Sequence, residues 1–150
     1  MRYVERILVP VDFSLRSTAA LAHAAALAEA FSASITLVHT FELPRSLSAI
    51  VPGSTAEGDT DDIRAAARSN MDGLVSALRD RGIAMVDAVI ESGSPIDTIL
   101  ALAKRGDYQM IVMGTHGRSG LKRLLLGSVA EGVLRSAPCP VVTIHLPSAV

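Results

Sequence analysis

The amino-acid sequence predicts an α/β fold, an open parallel sheet with helices on both faces. Short apolar runs alternate with longer helical segments along the whole chain, and the series ends on an apolar run. Such alternation marks β-α-β units wound into a parallel sheet, and right-handed crossovers leave few topologies. The first and fourth runs, residues 7–11 and 108–113, are strongly apolar, as central strands covered on both faces must be. Asp12 and Gly114 stand at the carboxyl ends of these two runs. Ligands of open α/β sheets bind beyond the carboxyl ends, where the strand order reverses. If the two strands are neighbours, Asp12 and Gly114 face one crevice.

Each element follows from local chemistry. Residues 7–11 are bounded by charge before and by Asp12 after, and read as the first strand. Asp12 or Ser14 can cap the next helix, which covers roughly residues 15–31. It is rich in alanine, the best helix former, whose small side chain lets a helix sit close on a sheet. Residues 34–40 read as the second strand. Residues 42–58 hold Pro44, Pro52, Gly53, Gly58 and several serines, the chemistry of a long lid or binding loop.

Thr60 or Asp61 starts a helix running to about Arg81, with Ile63, Ala67, Met71, Leu74, Val75 and Leu78 as its apolar stripe. Gly82 is placed as its left-handed stop. Residues 84–90 read as the third strand. Ser94-Pro95 opens a short helix ending near Gly106, with serine as cap and proline in the first helical position. Residues 108–113 form the fourth strand, a glycine-rich loop runs from Gly114 to Gly127, a helix covers about residues 128–136, and residues 140–146 are the last strand.

Composition excludes several classes. The 150 residues suit one domain. With 49% hydrophobic and 19% charged residues, the chain is not intrinsically disordered. A net charge of -1 gives no basic field for a nucleic-acid backbone. The absence of Trp and only 3% aromatics leave no platform for stacking bases. Cys139 is the single cysteine, which excludes an intramolecular disulfide, a CxxC pair and a multi-cysteine zinc site. The first apolar stretch carries charge and lacks a small-residue cleavage site, and no apolar run approaches the ~20 residues of a membrane helix. The expected setting is cytoplasmic, with neither a membrane nor a nucleic-acid partner.

The informative segment is Gly114-x2-Gly117-x9-Gly127-Ser128. Glycine lets a backbone approach an anion, and a helix opening at Gly127-Ser128 presents N–H groups and a dipole that favour phosphate. Arg118, Lys122 and Arg123 add positive charge to the same loop. The segment is not a Walker A loop, since Gly120 is followed by Leu121, and no dinucleotide fingerprint follows the first strand. On spacing alone it reads as a phosphate cradle or as a flexible turn.

These residues resemble the universal stress protein family, in its ATP-binding subgroup. The similarity spans essentially the whole chain, from Ile7-Leu-Val-Pro-Val-Asp-Phe-Ser14 through Gly93-Ser-Pro95, and is strongest over residues 111–142. The family signature G-x2-G-x9-G-S/T is matched without a gap by Gly114, Gly117, Gly127 and Ser128. The resemblance implies a five-stranded parallel sheet of order 3-2-1-4-5, Rossmann-like, of the adenine nucleotide alpha hydrolase-like kind. It implies that Val11 and Asp12 contact the adenosine, that Met113 and Gly114 border the nucleoside, and that Gly117, Gly127, Ser128 and Val129 offer donors to the phosphates. Thr40 stands where the family often has an aliphatic residue against adenine. The resemblance further implies a homodimer through antiparallel pairing of the last strand, an apolar edge without lysine or internal proline.

The function expected is that of an ATP-binding regulator or sensor in the stress response, whose nucleotide orders residues 42–58 and the glycine loop and whose protein partners the sequence leaves unnamed. Any Mg²⁺ would be held mainly by the phosphates and water. No Ser-His-Asp or Cys-His set is visible, so no catalytic residue is assigned. The alternatives are a slow ATPase, or another ATP-using enzyme on the same fold, and a nucleotide-free interaction module. Asp12 also reads as a plain helix cap. His39 and His116 belong near the crevice without metal-ligand spacing, His23 lies on a helix and His145 on the last strand. Cys139, between Pro138 and Pro140, reads as a small buried hydrophobe. Arg64, Arg68, Arg79 and Arg81 read as the solvated face of their helix.

Overall fold

The computed structural model describes residues 3–43, 56–115 and 126–146. Its elements are β1 (Arg6–Pro10), α1 (Leu15–Phe31), β2 (Ser34–Phe41), α2 (Ala56–Asp80), β3 (Val86–Ser92), α3 (Pro95–Arg105), β4 (Met110–Gly114), α4 (Ser128–Ser136) and β5 (Val141–Ile144). The strands form one five-stranded sheet in the order β3-β2-β1-β4-β5, parallel throughout. This is the expected 3-2-1-4-5 arrangement, with β1 and β4 as neighbours at the reversal.

Period-two alternation divides the core. Ile7, Val9 and Val11 join Ile35, Leu37, Val86, Ile90 and Val112 under α1 and α2. Leu8, Val38, Ile111 and Met113 face the other way and pack on Ile99 and Leu102 of α3 and Ala130 and Val133 of α4. Central strands therefore need apolar residues at every position. The alanines of α1 have a specific use: Ala20, Ala24 and Ala25 are fully buried, and their size sets how near the helix lies to the sheet.

Several boundaries differ from the sequence reading. α2 starts at Ala56 rather than Thr60 or Asp61, so it takes in Gly58. A glycine near a helix end costs at most about 1 kcal/mol, which a helix of 25 residues absorbs. Residues 44–55 of the expected long loop lie outside the described residues. Gly82 ends the α2 segment as expected, with a φ of +107°, and Ile83 N–H donates to Leu78 O at 3.1 Å. β3 begins at Val86, not 84, because buried Ile83 and the next two residues carry the chain from α2 to the sheet edge. β4 begins at Met110. Tyr108 lies beneath the Arg6 guanidinium, 4.6 Å from its ring centre, and the Gln109 side-chain oxygen accepts from the N–H groups of Glu5 and Arg6. β5 is shorter than residues 140–146 and is half-buried at all four positions.

The arginines of α2 are less detached than their spacing suggests. Arg81 pairs with Glu29 of α1 at 2.6 Å, Arg79 donates to Val86 O at 3.2 Å, and Arg64 lies over the Phe41 ring at 5.2 Å. Arg68 is exposed as expected. In the apolar stripe, Ala67, Met71, Val75 and Leu78 are buried, but Ile63 is 36% exposed.

The close seat of α1 yields a prediction. Ala24→Leu should destabilise the fold by about 1–3 kcal/mol through overpacking. Ala26→Leu, on the exposed side of the same helix, should change it by less than about 0.5 kcal/mol. Urea unfolding of both variants checks this, and equal stabilities would show that the helix is free to move outward.

Candidate functional site

The β1–α1 turn is built by three short-range hydrogen bonds. Ser14 caps α1, its hydroxyl accepting from Ser17 N–H at 3.2 Å. Asp12 Oδ1 accepts from Ser14 N–H at 3.0 Å, and Asp12 N–H donates to Ser17 Oγ at 3.2 Å. The open choice between Asp12 and Ser14 as cap is thus settled for Ser14, and Asp12 is held one step earlier. Between them Phe13 takes a φ of +64°, a region that costs a non-glycine residue of order 1–3 kcal/mol. Its ring rests on His39, with centroids 4.5 Å apart. His39 in turn donates from Nδ1 to Val11 O at 2.8 Å. It does not line the crevice to which the sequence reading assigned it, because it lies on the opposite face of β2 from Val38 and Thr40; its role here is to fix the end of β1.

Opposite this turn lies the end of β4. A Cβ at Gly114 would stand 3.1 Å from Arg16 O and 3.2 Å from Arg16 C. A side chain at 114 would press on the first turn of α1, which would have to give by a few tenths of an ångström, so close packing favours glycine here independently of any ligand. Thr115 follows, buried at 6% exposure. Its carbonyl accepts the N–H of Gly127, the residue that caps α4. Inside an α-helix the first N–H groups have no internal acceptor, so this arrangement brings the opening turn of α4 to the end of β4.

Between the two ends is a cavity of about 640 Å³, within the range of small-molecule sites. Val11, Asp12, Thr40, Met113, Gly114, Gly127, Ser128 and Val129 all line it. Gly117 of the signature, together with His116, Arg118, Lys122 and Arg123, lies outside the described residues. The apolar part comes from Val11, Val38, Ile99, Met113, Val129 and Ala130, and the polar part from Asp12, Ser17, Thr40, Glu42, Thr115 and Ser128. Val11 gives its N–H to Val38 O at 2.9 Å and its carbonyl to His39, so what it offers the cavity is apolar surface.

Sequence reasoning missed Pro10, Ser17, Val38, Glu42, Pro95, Ile99, Thr115 and Ala130. Val38 and Glu42 were within reach, since alternation along a strand puts positions 38, 40 and 42 on one face. Pro95 and Ile99 needed the placement of α3. Ser94 occupies the cap position of that helix with no side-chain bond, and Thr98 N–H goes to the Ser94 carbonyl at 3.0 Å.

Among the described residues no group of three or more His, Cys, Asp or Glu side chains comes together, and no helix is long and apolar enough to cross a membrane. Exposed His23 bonds from Nδ1 to Ala19 O. His145 lies just beyond β5, with Nδ1 3.2 Å from Thr115 Oγ1.

Fold and cavity define a Rossmann-like α/β protein with a ligand-sized site at its switch point. The chain belongs to the universal stress protein family, whose model matches residues 4–145. It is 29% identical to the universal stress protein MJ0531 of Methanocaldococcus jannaschii, over 95% of this chain and 83% of that one. Among solved structures, protein MJ0577 of the same organism superposes with a TM-score of 0.86 at 27% identity, covering 99% of this chain and 100% of that one. A universal stress protein from Archaeoglobus fulgidus, solved in complex with dAMP, superposes with a TM-score of 0.65 at 28% identity, covering 96% and 99%.

Cys139 packs half-buried against the α3–α4 side of the core, and burial pushes its thiol pKa up. Its thiolate fraction at neutral pH should be smaller in the folded state than in the unfolded chain. Maleimide labelling at pH 7 is therefore expected to be slower in buffer than in urea. Because the folded pKa is the higher one, this group's share of stability should be constant below the unfolded pKa and decline as pH rises through the folded value. Equal labelling rates, corrected for the effect of urea on a free thiol, would contradict this.

Proposed function

We propose that the protein is a cytoplasmic ATP-binding universal stress protein, acting as a nucleotide-dependent regulator and not as an enzyme. The observation that carries this reading is the junction of β1, β4 and α4 around one cavity. An apolar wall of nucleoside size meets a helix start whose N–H groups suit phosphate. Asp12 would accept from the nucleoside, Val11 and Met113 would pack on it, and Thr40 would present a methyl and a hydroxyl to the base. Gly114 would border the nucleoside with Met113, and Gly117, Gly127, Ser128 and Val129 would offer donors to the phosphates. The dAMP-bound relative from A. fulgidus supports adenine recognition, and the matched glycine signature supports the longer phosphate chain. Mg²⁺, where present, would take its ligands from the phosphates and water.

The regulatory character rests on what binding can do. A ligand that binds the folded state stabilises it by mass action and favours whichever arrangement of the site it contacts better. No catalytic residue is assigned.

Nucleotide released from the purified protein should be ATP by mass spectrometry, and calorimetric titration should give binding without multiple turnovers. Gly127→Val should abolish it by obstructing the turn. Asp12→Ala should weaken it by roughly tenfold or more, the loss of a hydrogen bond to a charged group. Wild-type affinity in both variants would remove these residues from the site, and steady release of product would make the protein an ATPase.

The half-buried edge strand β5 supports a two-fold dimer through antiparallel pairing. Light scattering should give twice the chain mass at micromolar concentration, and Val142→Lys should reduce it to one chain. A monomeric wild type would refute the dimer, and a dimeric Val142→Lys would put the interface elsewhere.

A further inference from the structure

We propose that His145 is a positioning residue for the opening turn of α4, and through it for the nucleotide; the second clause rests on the function proposed above. Thr115 lines the cavity and is buried, and three of its polar groups are committed. Its N–H donates to Ile144 O at 3.1 Å, and its carbonyl accepts from Gly127 N–H. Its hydroxyl lies 3.2 Å from His145 Nδ1.

Two of these bonds tie Thr115 to the end of β5, and the third holds the cap of α4. Thr115 is thus a strap from the edge strand, across the end of β4, to the residue that opens the helix. The backbone bond to Ile144 continues the sheet register, which pairs Gly114 with Ile144. The side-chain bond to His145 goes beyond that register and fixes the hydroxyl and the rotamer of Thr115. A hydroxyl can donate or accept, so the pair is satisfied by either imidazole tautomer. Without the imidazole, a buried threonine hydroxyl on the cavity wall would lose this partner. The peptide whose carbonyl aims at Gly127 N–H would then be less firmly held.

His145 is exposed, so its replacement opens no hole in the core. It lies outside the glycine signature and does not line the cavity itself. It acts through Thr115 and is not a ligand group.

The test uses the full chain with His145→Ala, His145→Asn, Thr115→Val and the double variant Thr115→Val/His145→Ala. ATP affinity is measured by calorimetry, the Gly127 amide exchange rate by NMR without nucleotide, and mass by light scattering in the same samples. His145→Ala should bind ATP roughly tenfold more weakly and exchange the Gly127 amide faster. Asparagine, whose amide can occupy the Nδ1 position, should restore both. In the Thr115→Val background, His145→Ala should have no further effect on either. Unchanged affinity and exchange in His145→Ala overturn the proposal, as does a loss that persists in the Thr115→Val background or that tracks a change in mass. Failure of the wild type to bind ATP would defeat the nucleotide reading instead, and the Gly127 exchange rates would then decide whether His145 positions the turn.

Discussion

β1 and β4 are parallel neighbours whose next helices in the chain lie on opposite faces of the sheet, and the rest of the molecule depends on that divergence. β1 leads into α1, which packs on one face. α4, the next helix after β4, packs on the other. A crevice remains between the two carboxyl ends. Its apolar walls come from strand ends and from α3 and α4. Its polar groups come from the β1–α1 turn and first turn of α1, the end of β2, Thr115 after β4 and the start of α4.

Each turn is fixed by a different device. At β1, Ser14 caps α1, Asp12 braces Ser14, and Phe13 is held in a left-handed conformation with its ring on His39. At β4, α1 passes so close to Gly114 that a Cβ would stand 3.1 Å from its backbone, and Thr115 straps the next helix to the edge strand. The two devices meet through Arg16, whose backbone lies against Gly114 within the first turn of the helix that Ser14 caps. Displacement of either turn would therefore be felt by the other through α1.

This coupling changes the meaning of the glycine signature. Gly114 is favoured by close packing against α1 whether or not an anion binds. Gly127 is placed by its bond to Thr115, and it is the position at which the signature and the strap coincide. A glycine motif in a sequence thus combines two constraints, close packing and ligand approach, which only coordinates separate.

The sequence by itself determined the alternation of strands and helices, the bounds of α1 and α4, and the left-handed stop at Gly82. These are legible because they are local: a period of apolar residues, a cap, a glycine. The first residues of β3 and β4 were not, because Ile83, Tyr108 and Gln109 are spent on joining elements, and no local pattern announces that. Nor could the sequence say that Arg64, Arg79 and Arg81 dock on their neighbours. The tertiary structure alone decided that Ser17, Ile99 and Thr115 share a cavity with Asp12, and that His145, thirty residues along the chain, holds the hydroxyl of Thr115. Those contacts join residues that are distant in sequence, and they exist only once parallel strands in a fixed register bring their carboxyl ends to one edge.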